Sequence, residues 1–291
     1  MEILRVENLK KYYGPVKAVD GISFSLEKGM VFSLLGPNGA GKTTTVEILE
    51  GLRKKDEGTI YYFGVRMDFP NREVKRKMGI CLQKSAFFEN LTVLETLKLY
   101  RTLYGNGMDV EEVVKLFELE GLEKRRVKTL SGGQFQRLAV AVAFVNDPEI
   151  VFLDEPTTGL DPQARRHIWE IVETFKRRGK TIFLTTHYME EAERLSDYVC
   201  IMDHGRIIAE GSPRALVESS GLKSIVEFDC ENELHVEGTL EKKDNHYVVE
   251  TNEPETLIKD LLRNWNVSNI VIRKPNLEDV FLKLTGRELR E

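Results

Sequence analysis

MVFSLLGPNGAGKTTTVEILEGL, residues 30–52, is the stretch from which the fold can be read. It opens with MVFSLL (30–35), a continuous apolar run of the kind found in strands covered on both faces of a sheet. It closes with KTTTVEILEGL, a helical pattern. Between them GPNGAGKT (36–43) fits GxxxxGK[ST], directly after the strand and directly before the helix. Glycines at 36, 39 and 41 let backbone amides turn inward around phosphate groups. Lys42 supplies a point charge for the terminal phosphates, and the Thr43 hydroxyl can ligate Mg²⁺. The candidate nucleotide loop is therefore Gly36, Pro37, Asn38, Gly39, Ala40, Gly41, Lys42, Thr43 and Thr44.

Four further short runs read as strands of the same sheet: MGICLQ (78–83), EIVFLD (149–154), TIFLTT (181–186) and YVCIMD (198–203). HGRIIAEG (204–211) reads as the return arm of a hairpin with the last of them. Helical patterns such as GQFQRLAVAVAFV and ARRHIWEIVETFKRR lie between, and this alternation predicts an α/β fold with a parallel-sheet core. The opening, EILRVENL through AVDGISFSLEKG, predicts an antiparallel β layer. Residues of about 84–145 read as mainly helical. In IVFLDEP (150–156) the apolar run places Asp154 at a strand's C-terminal end, where open α/β sheets hold ligands. Asp154 is placed to hold magnesium there, and Glu155 to polarise an attacking water as general base.

LSGGQFQR (130–137) adds a second phosphate-type element, paired glycines after a serine at the start of a helix. Together, loop 36–43, LSGGQ at 130–134, the LDEP stretch and His187 resemble the nucleotide-binding subunit of an ATP-binding cassette (ABC) transporter, over about residues 3–215. The resemblance implies a phosphate-loop cassette that takes ATP and Mg²⁺ and hydrolyses ATP. By position, Tyr13 matches the aromatic that stacks on adenine, with Tyr12 a competing candidate. Gln83 matches the glutamine that touches Mg²⁺ and senses the transport partner, and His187 the histidine that contacts the γ-phosphate. Leu160 and Asp161 match the loop that crosses to a second subunit. Ser131, Gly132, Gly133 and Gln134 are then expected to serve the ATP held by the other subunit. The implied partners are a second cassette, most simply an identical copy, and a separate membrane-spanning permease at whose cytoplasmic face the chain works.

After GSPRALVESSGLKS (211–224) the pattern changes to β-β-α-β-α over the last stretch of the chain. The expected organisation is a cassette over 1–215, a linker over 216–222 and a small α+β domain over 223–291. LEDVFLKLTGRELRE (277–291) is similar to the ending of ATPase subunits that serve ABC-2 type exporters. Trp169 and Trp265 both read as core residues on apolar helical faces, and REVKRK (72–77) as a solvated face.

Composition narrows the alternatives. The net charge is −5; residues 223–291 carry 10 basic and 15 acidic side chains, which leaves residues 1–222 neutral. That balance disfavours a nucleic-acid partner, whose affinity rests on Lys and Arg. A cassette ATPase acting on nucleic acid or ribosomes is the alternative reading. Translation-factor relatives carry two cassettes, however, and DNA-repair relatives insert a coiled coil before the second motif. In this chain fewer than 100 residues separate loop and LSGGQ. A kinase would leave LSGGQ without a role. Cys81, Cys200 and Cys230 are isolated in apolar runs and read as buried thiols. The opening MEILRVENLKKYY lacks the apolar stretch of a signal peptide, and no run approaches membrane-spanning length.

Overall fold

A computed structural model of the protein describes residues 1–105, 107–232 and 234–286. Two compact units divide the chain, Met1–Pro213 and a second beginning at Arg214.

The first unit opens with β1 (Glu2–Tyr13) and β2 (Val16–Glu27), paired antiparallel. Alternation along a strand sends every second side chain to one face, and Leu4 and Val6 of β1 face Phe24 and Leu26 of β2 in the core. Asn8, with φ +50°, sits in a bulge that resets the alternation so that Leu9 turns inward. β4 (Glu57–Tyr62) and β5 (Val65–Arg66), which the sequence pattern did not reveal, complete a sheet of order β2-β1-β4-β5.

The second sheet contains β3 (Val31–Leu35), β6 (Met78–Cys81), β7 (Ile150–Asp154), β8 (Thr181–Thr186), β9 (Tyr198–Asp203) and β10 (Arg206–Gly211). Its order is β10-β9-β3-β8-β7-β6, parallel throughout except for the β9–β10 hairpin. Every position of β3, β7 and β8 is buried, as expected of strands covered on both faces. A run of rings joins the two sheets: Phe24 stacks on Phe32 at 5.0 Å, and Phe32 meets Phe183 at 5.1 Å.

Helices α1 (Lys42–Leu49), α2 (Arg72–Arg76), α3 (Val93–Tyr104), α4 (Val110–Leu116), α5 (Gly132–Phe144), α6 (Pro162–Arg177) and α7 (Met189–Leu195) complete the unit. The basic run 72–77 is the short helix α2, with Val74 buried and its charged side chains largely outward. Phe117, Phe144 and Phe175 pack together beneath α5 and α6, the last two rings 4.0 Å apart. Residues 216–222, expected as a linker, are helical through Ser219 within α8 (Pro213–Ser219).

In the second unit β11 (Ser224–Cys230), β12 (Thr239–Lys243), β13 (His246–Thr251) and β14 (Val267–Arg273) form an antiparallel sheet of order β12-β13-β11-β14. Val226, Phe228, Tyr247 and Val249 make its core with Leu261 of α9 (Pro254–Asn264). A last helix, α10 (Leu277–Thr285), follows, and the expected ending beyond Gly286 lies outside the described residues. Trp169 is buried as expected, but Trp265 is 44% exposed. Trp265 follows the last turn of α9 in extended conformation, so the helical face that would have buried it has already ended. All three cysteines are buried and free.

The buried members of both core clusters in the first unit end at Met202. A chain ending at Pro213 should therefore unfold in one cooperative thermal transition and bind ATP as the full chain does. A folded truncation that failed to bind nucleotide in equilibrium titration would show that the second unit helps to build the site.

Candidate functional site

Close backbone approach shapes the turn between β3 and α1. A Cβ at Gly41 (φ +109°) would lie 2.1 Å from the Ala18 carbonyl oxygen, and one at Gly36 would lie 2.2 Å from that of Met202. Only glycine fits without moving backbone. α1 then starts at Lys42 with no side-chain oxygen capping its first N–H groups. Free N–H groups at a helix start attract anions. These adjoin a cavity of about 590 Å³ lined by Asn38, Gly39, Gly41, Lys42, Thr43, Thr44, Gln83 and Glu155. The buried Lys42 Nζ donates to the carbonyls of Gly36 (2.8 Å) and Pro37 (3.1 Å) and lies 3.2 Å from Glu155 Oε1. Burial pushes the Lys42 ammonium down, and the Glu155 charge opposes it.

β7 is a fully buried strand that delivers Asp154 and Glu155 at its C-terminal end. Burial pushes the Asp154 carboxyl up, while the Thr185 hydroxyl, which donates to it, acts in the opposite sense. Glu155 has φ +48°, a left-handed conformation that is strained for a side-chain-bearing residue. Its N–H is held by Thr185 of β8, with the carbonyl at 3.1 Å and the hydroxyl at 3.0 Å.

Four groups surround the Glu155 carboxylate. Lys42 lies on one oxygen; Gln83 Nε2 (3.0 Å) and Thr158 Oγ1 (3.2 Å) donate to the other. His187 Nδ1 is 3.3 Å from that second oxygen, without hydrogen-bond alignment. Burial works against ionisation of Glu155, but His187 and Lys42 together outweigh it and hold the carboxyl down to about 2. The structure thus gathers Lys42, Gln83, Asp154, Glu155 and His187, which the sequence scatters. Gln83 stands two residues beyond the end of β6, in the turn that follows rather than in the strand.

The second glycine stretch lies elsewhere. Ser131 caps α5, accepting from Gln134 N–H at 3.4 Å, while Gln134 Oε1 accepts from Ser131 N–H at 3.1 Å, a reciprocal capping box. A Cβ on Gly133 would meet the Ala164 Cβ at 3.3 Å, so glycine lets α5 approach α6 closely. Asp161 caps α6 through the N–H groups of Gln163 and Ala164. Ser131 to Gln134, Leu160 and Asp161 line a separate cavity of about 780 Å³, which shares no residue with the cavity at Lys42.

Tyr12 and Tyr13 are now distinguishable. Tyr12 donates its hydroxyl to Asp20 at 2.6 Å. Tyr13 is 40% exposed, with Arg53 5.4 Å from its ring centre, and it is not among the residues lining the Lys42 cavity. Sequence reasoning missed Pro15 to Ala18 and His204, which line that cavity. Ordinary strand alternation and a turn are all they show in sequence. It also missed Thr185, which holds Asp154 and Glu155 together; two adjacent threonines at the end of TIFLTT were the only trace.

A strand–loop–helix with a buried lysine, facing paired acids at the end of a nearby parallel strand, defines a phosphate-loop nucleotide hydrolase. Profile comparison matches residues 19–158 to the ABC transporter family and residues 232–286 to the C-terminal domain of the nodulation factor export protein NodI. The Nod factor export ATP-binding protein I of Cupriavidus metallidurans is 40% identical, over 99% of each chain. That of a Rhizobium species is 39% identical, over 97% of each. An ABC transporter cassette in its ADP conformation superposes with TM-score 0.65 at 30% identity, covering 73% of this chain and 91% of that one. A bacterial ABC transporter cassette solved as a dimer gives TM-score 0.66 at 28% identity, covering 72% and 98%. The chain belongs to the ABC transporter family, as an ATP-binding subunit. It is an ATPase that uses ATP with Mg²⁺, and the oxygens of Thr43, Gln83 and Asp154 are of the kind Mg²⁺ takes.

The low Glu155 pKa has a measurable consequence. A depressed carboxyl contributes stability that is present above the ordinary glutamate value of 4.5 and is lost as pH falls toward about 2. In nucleotide-free protein, Glu155→Gln should lose on the order of 3 kcal/mol at pH 7. The gap to wild type should narrow as the pH of the denaturant titration is lowered from 4.5 toward 3. A gap independent of pH would contradict this assignment.

Proposed function

We propose that the chain drives export through a separate membrane-spanning permease, with two copies closing head to tail around two ATP molecules at the cytoplasmic face of the membrane. Loop 36–44 of one copy holds the phosphates, Lys42 meeting the terminal pair. Ser131 and the N–H groups of Gly132 and Gly133 of the facing copy meet the same γ-phosphate, with Gln134 and Asp161 along the seam. Thr43, Gln83 and Asp154 would hold Mg²⁺, which would supply charge neutralisation for the phosphates. Tyr13, whose ring is open to solvent while Tyr12 is engaged with Asp20, stacks on adenine.

Glu155 is the general base for the attacking water. Lys42 is one of the two neighbours that lower its pKa, so a Lys42 engaged by phosphate leaves Glu155 more basic. His187 stays beside it to orient the γ-phosphate. Binding of nucleotide thereby tunes the base that acts on it. The C-terminal unit supports an ABC-2 type exporter. Export is carried over from the curated relatives; their cargo is not.

One observation carries the reading: the two phosphate elements line cavities that share no residue. An isologous pair unites them twice, once per ATP, and ATP then stabilises the dimer by binding the closed form more tightly than the separate chains. The test is Glu155→Gln on a sizing column. It should elute as a dimer with ATP and as a monomer without. Glu155→Gln carrying Ser131→Arg should bind ATP and remain a monomer. A double variant that dimerises equally well would overturn the assignment of Ser131.

A further inference from the structure

Glu191 of α7 is fully enclosed, with 0% of its surface exposed. An acid is rarely buried so completely without a partner that requires it there. Two donors converge on Oε1: the Thr157 hydroxyl at 2.9 Å and the Trp169 indole N–H at 2.8 Å. Oε2 makes no hydrogen bond among the described residues. Burial pushes this carboxyl up, while Thr186, Trp169, Thr157 and the Arg165 charge act against that.

Each of these contacts reaches a segment next to the hydrolytic groups. Thr157 lies two residues beyond Glu155, in the turn where Thr158 N–H donates to the Glu155 carbonyl at 3.2 Å. Thr186 immediately precedes His187, and its hydroxyl accepts from Tyr188 N–H at 2.9 Å. Trp169 and Arg165 are on α6; Arg165 lies 4.1 Å over the Tyr188 ring, which in turn packs 4.2 Å from the His187 ring. The hydrogen bonds of Glu191 therefore tie α7, which begins two residues after His187, to the turn after Glu155 and to α6.

Both hydrolytic groups need outside support. Glu155 has φ +48°, a conformation that would relax if its turn were released. The His187 ring nitrogen facing Glu155 makes no hydrogen bond of its own, so its position is inherited from neighbouring backbone and from Tyr188. We infer that Glu191 is a positioning residue for ATP hydrolysis, holding Glu155 and His187 at their 3.3 Å separation. This role rests on the proposed parts played by Glu155 as base and His187 as γ-phosphate contact. Glu191 touches neither the loop 36–44 nor the cavity there, so it acts on turnover and leaves nucleotide binding alone.

The test compares Glu191→Leu, which fills similar space without an acceptor, with Glu191→Gln, which keeps an oxygen for both donors. Glu191→Leu should lower kcat about ten- to a hundredfold. Its KM for ATP should stay within about twofold of wild type, since only orientation is lost. Glu191→Gln should recover most of the loss. Thr157→Val and Trp169→Phe each remove one donor and so provide milder variants should Glu191→Leu fail to fold. Each should lower kcat several-fold, and the pair should lower it less than the product of the two effects. Glu155→Gln is the control. If it abolishes hydrolysis while folded Glu191, Thr157 and Trp169 variants keep kcat, this inference alone is overturned. A parallel loss of ATP affinity and kcat, unrescued by Glu191→Gln, would also overturn it and mark Glu191 as general core support. If Glu155→Gln itself keeps wild-type turnover, the reading of Glu155 fails first.

Discussion

One carboxylate, that of Glu155, is shared by groups from across the cassette. Lys42 opens α1, Gln83 follows β6, Thr158 follows β7 and His187 follows β8. They meet because β3, β8, β7 and β6 are consecutive neighbours in a parallel sheet, so their C-terminal ends form one edge. The long apolar strands are thus a means of bringing distant loops to one place. The strained φ of Glu155 is held there by Thr185 from the adjacent strand. A different strand order would separate the lysine from its counter-charge, and each would be buried alone at considerable cost.

Under the proposed mechanism the same carboxylate links charge to catalysis. In the structure it neutralises a buried lysine and is kept strongly acidic by that lysine and by His187. A group held so acidic is a weak base. Under the proposed mechanism the phosphates of ATP compete for Lys42, so the base strengthens only when substrate is present. This constraint ties nucleotide binding to hydrolysis through one short ion pair and needs no large movement.

Much of this was legible in the sequence because it is local. The loop 36–43, the acids after IVFLD and the buried strands announce themselves through spacing and continuous apolar runs. LSGGQ was equally visible, yet its capping box with Gln134 and the close approach of Gly133 to Ala164 show that the motif also builds the start of α5. What was not legible depends on tertiary neighbours. Tyr12 and Tyr13 are adjacent in an alternating strand, and the hydrogen bond of Tyr12 to Asp20 is what separates their surroundings. Glu191 sits in MEEAERL among other acids, and nothing in that run says which one is enclosed. Trp265 reads as core only if helical periodicity is extended one residue past the helix end.

Two phosphate elements in one chain, facing different cavities, make the central claim one about geometry between copies. The most direct measurement mixes two inactive chains, one carrying Lys42→Ala and the other Ser131→Arg, and follows single-turnover ATP hydrolysis. In a head-to-tail pair a mixed dimer has one intact site, made from Lys42 of one chain and Ser131 of the other. The mixture should then regain activity that neither chain shows alone, with one whole site in each mixed dimer. A mixture as inactive as its components would mean that Lys42 and Ser131 serve the same chain, and would contradict the head-to-tail arrangement.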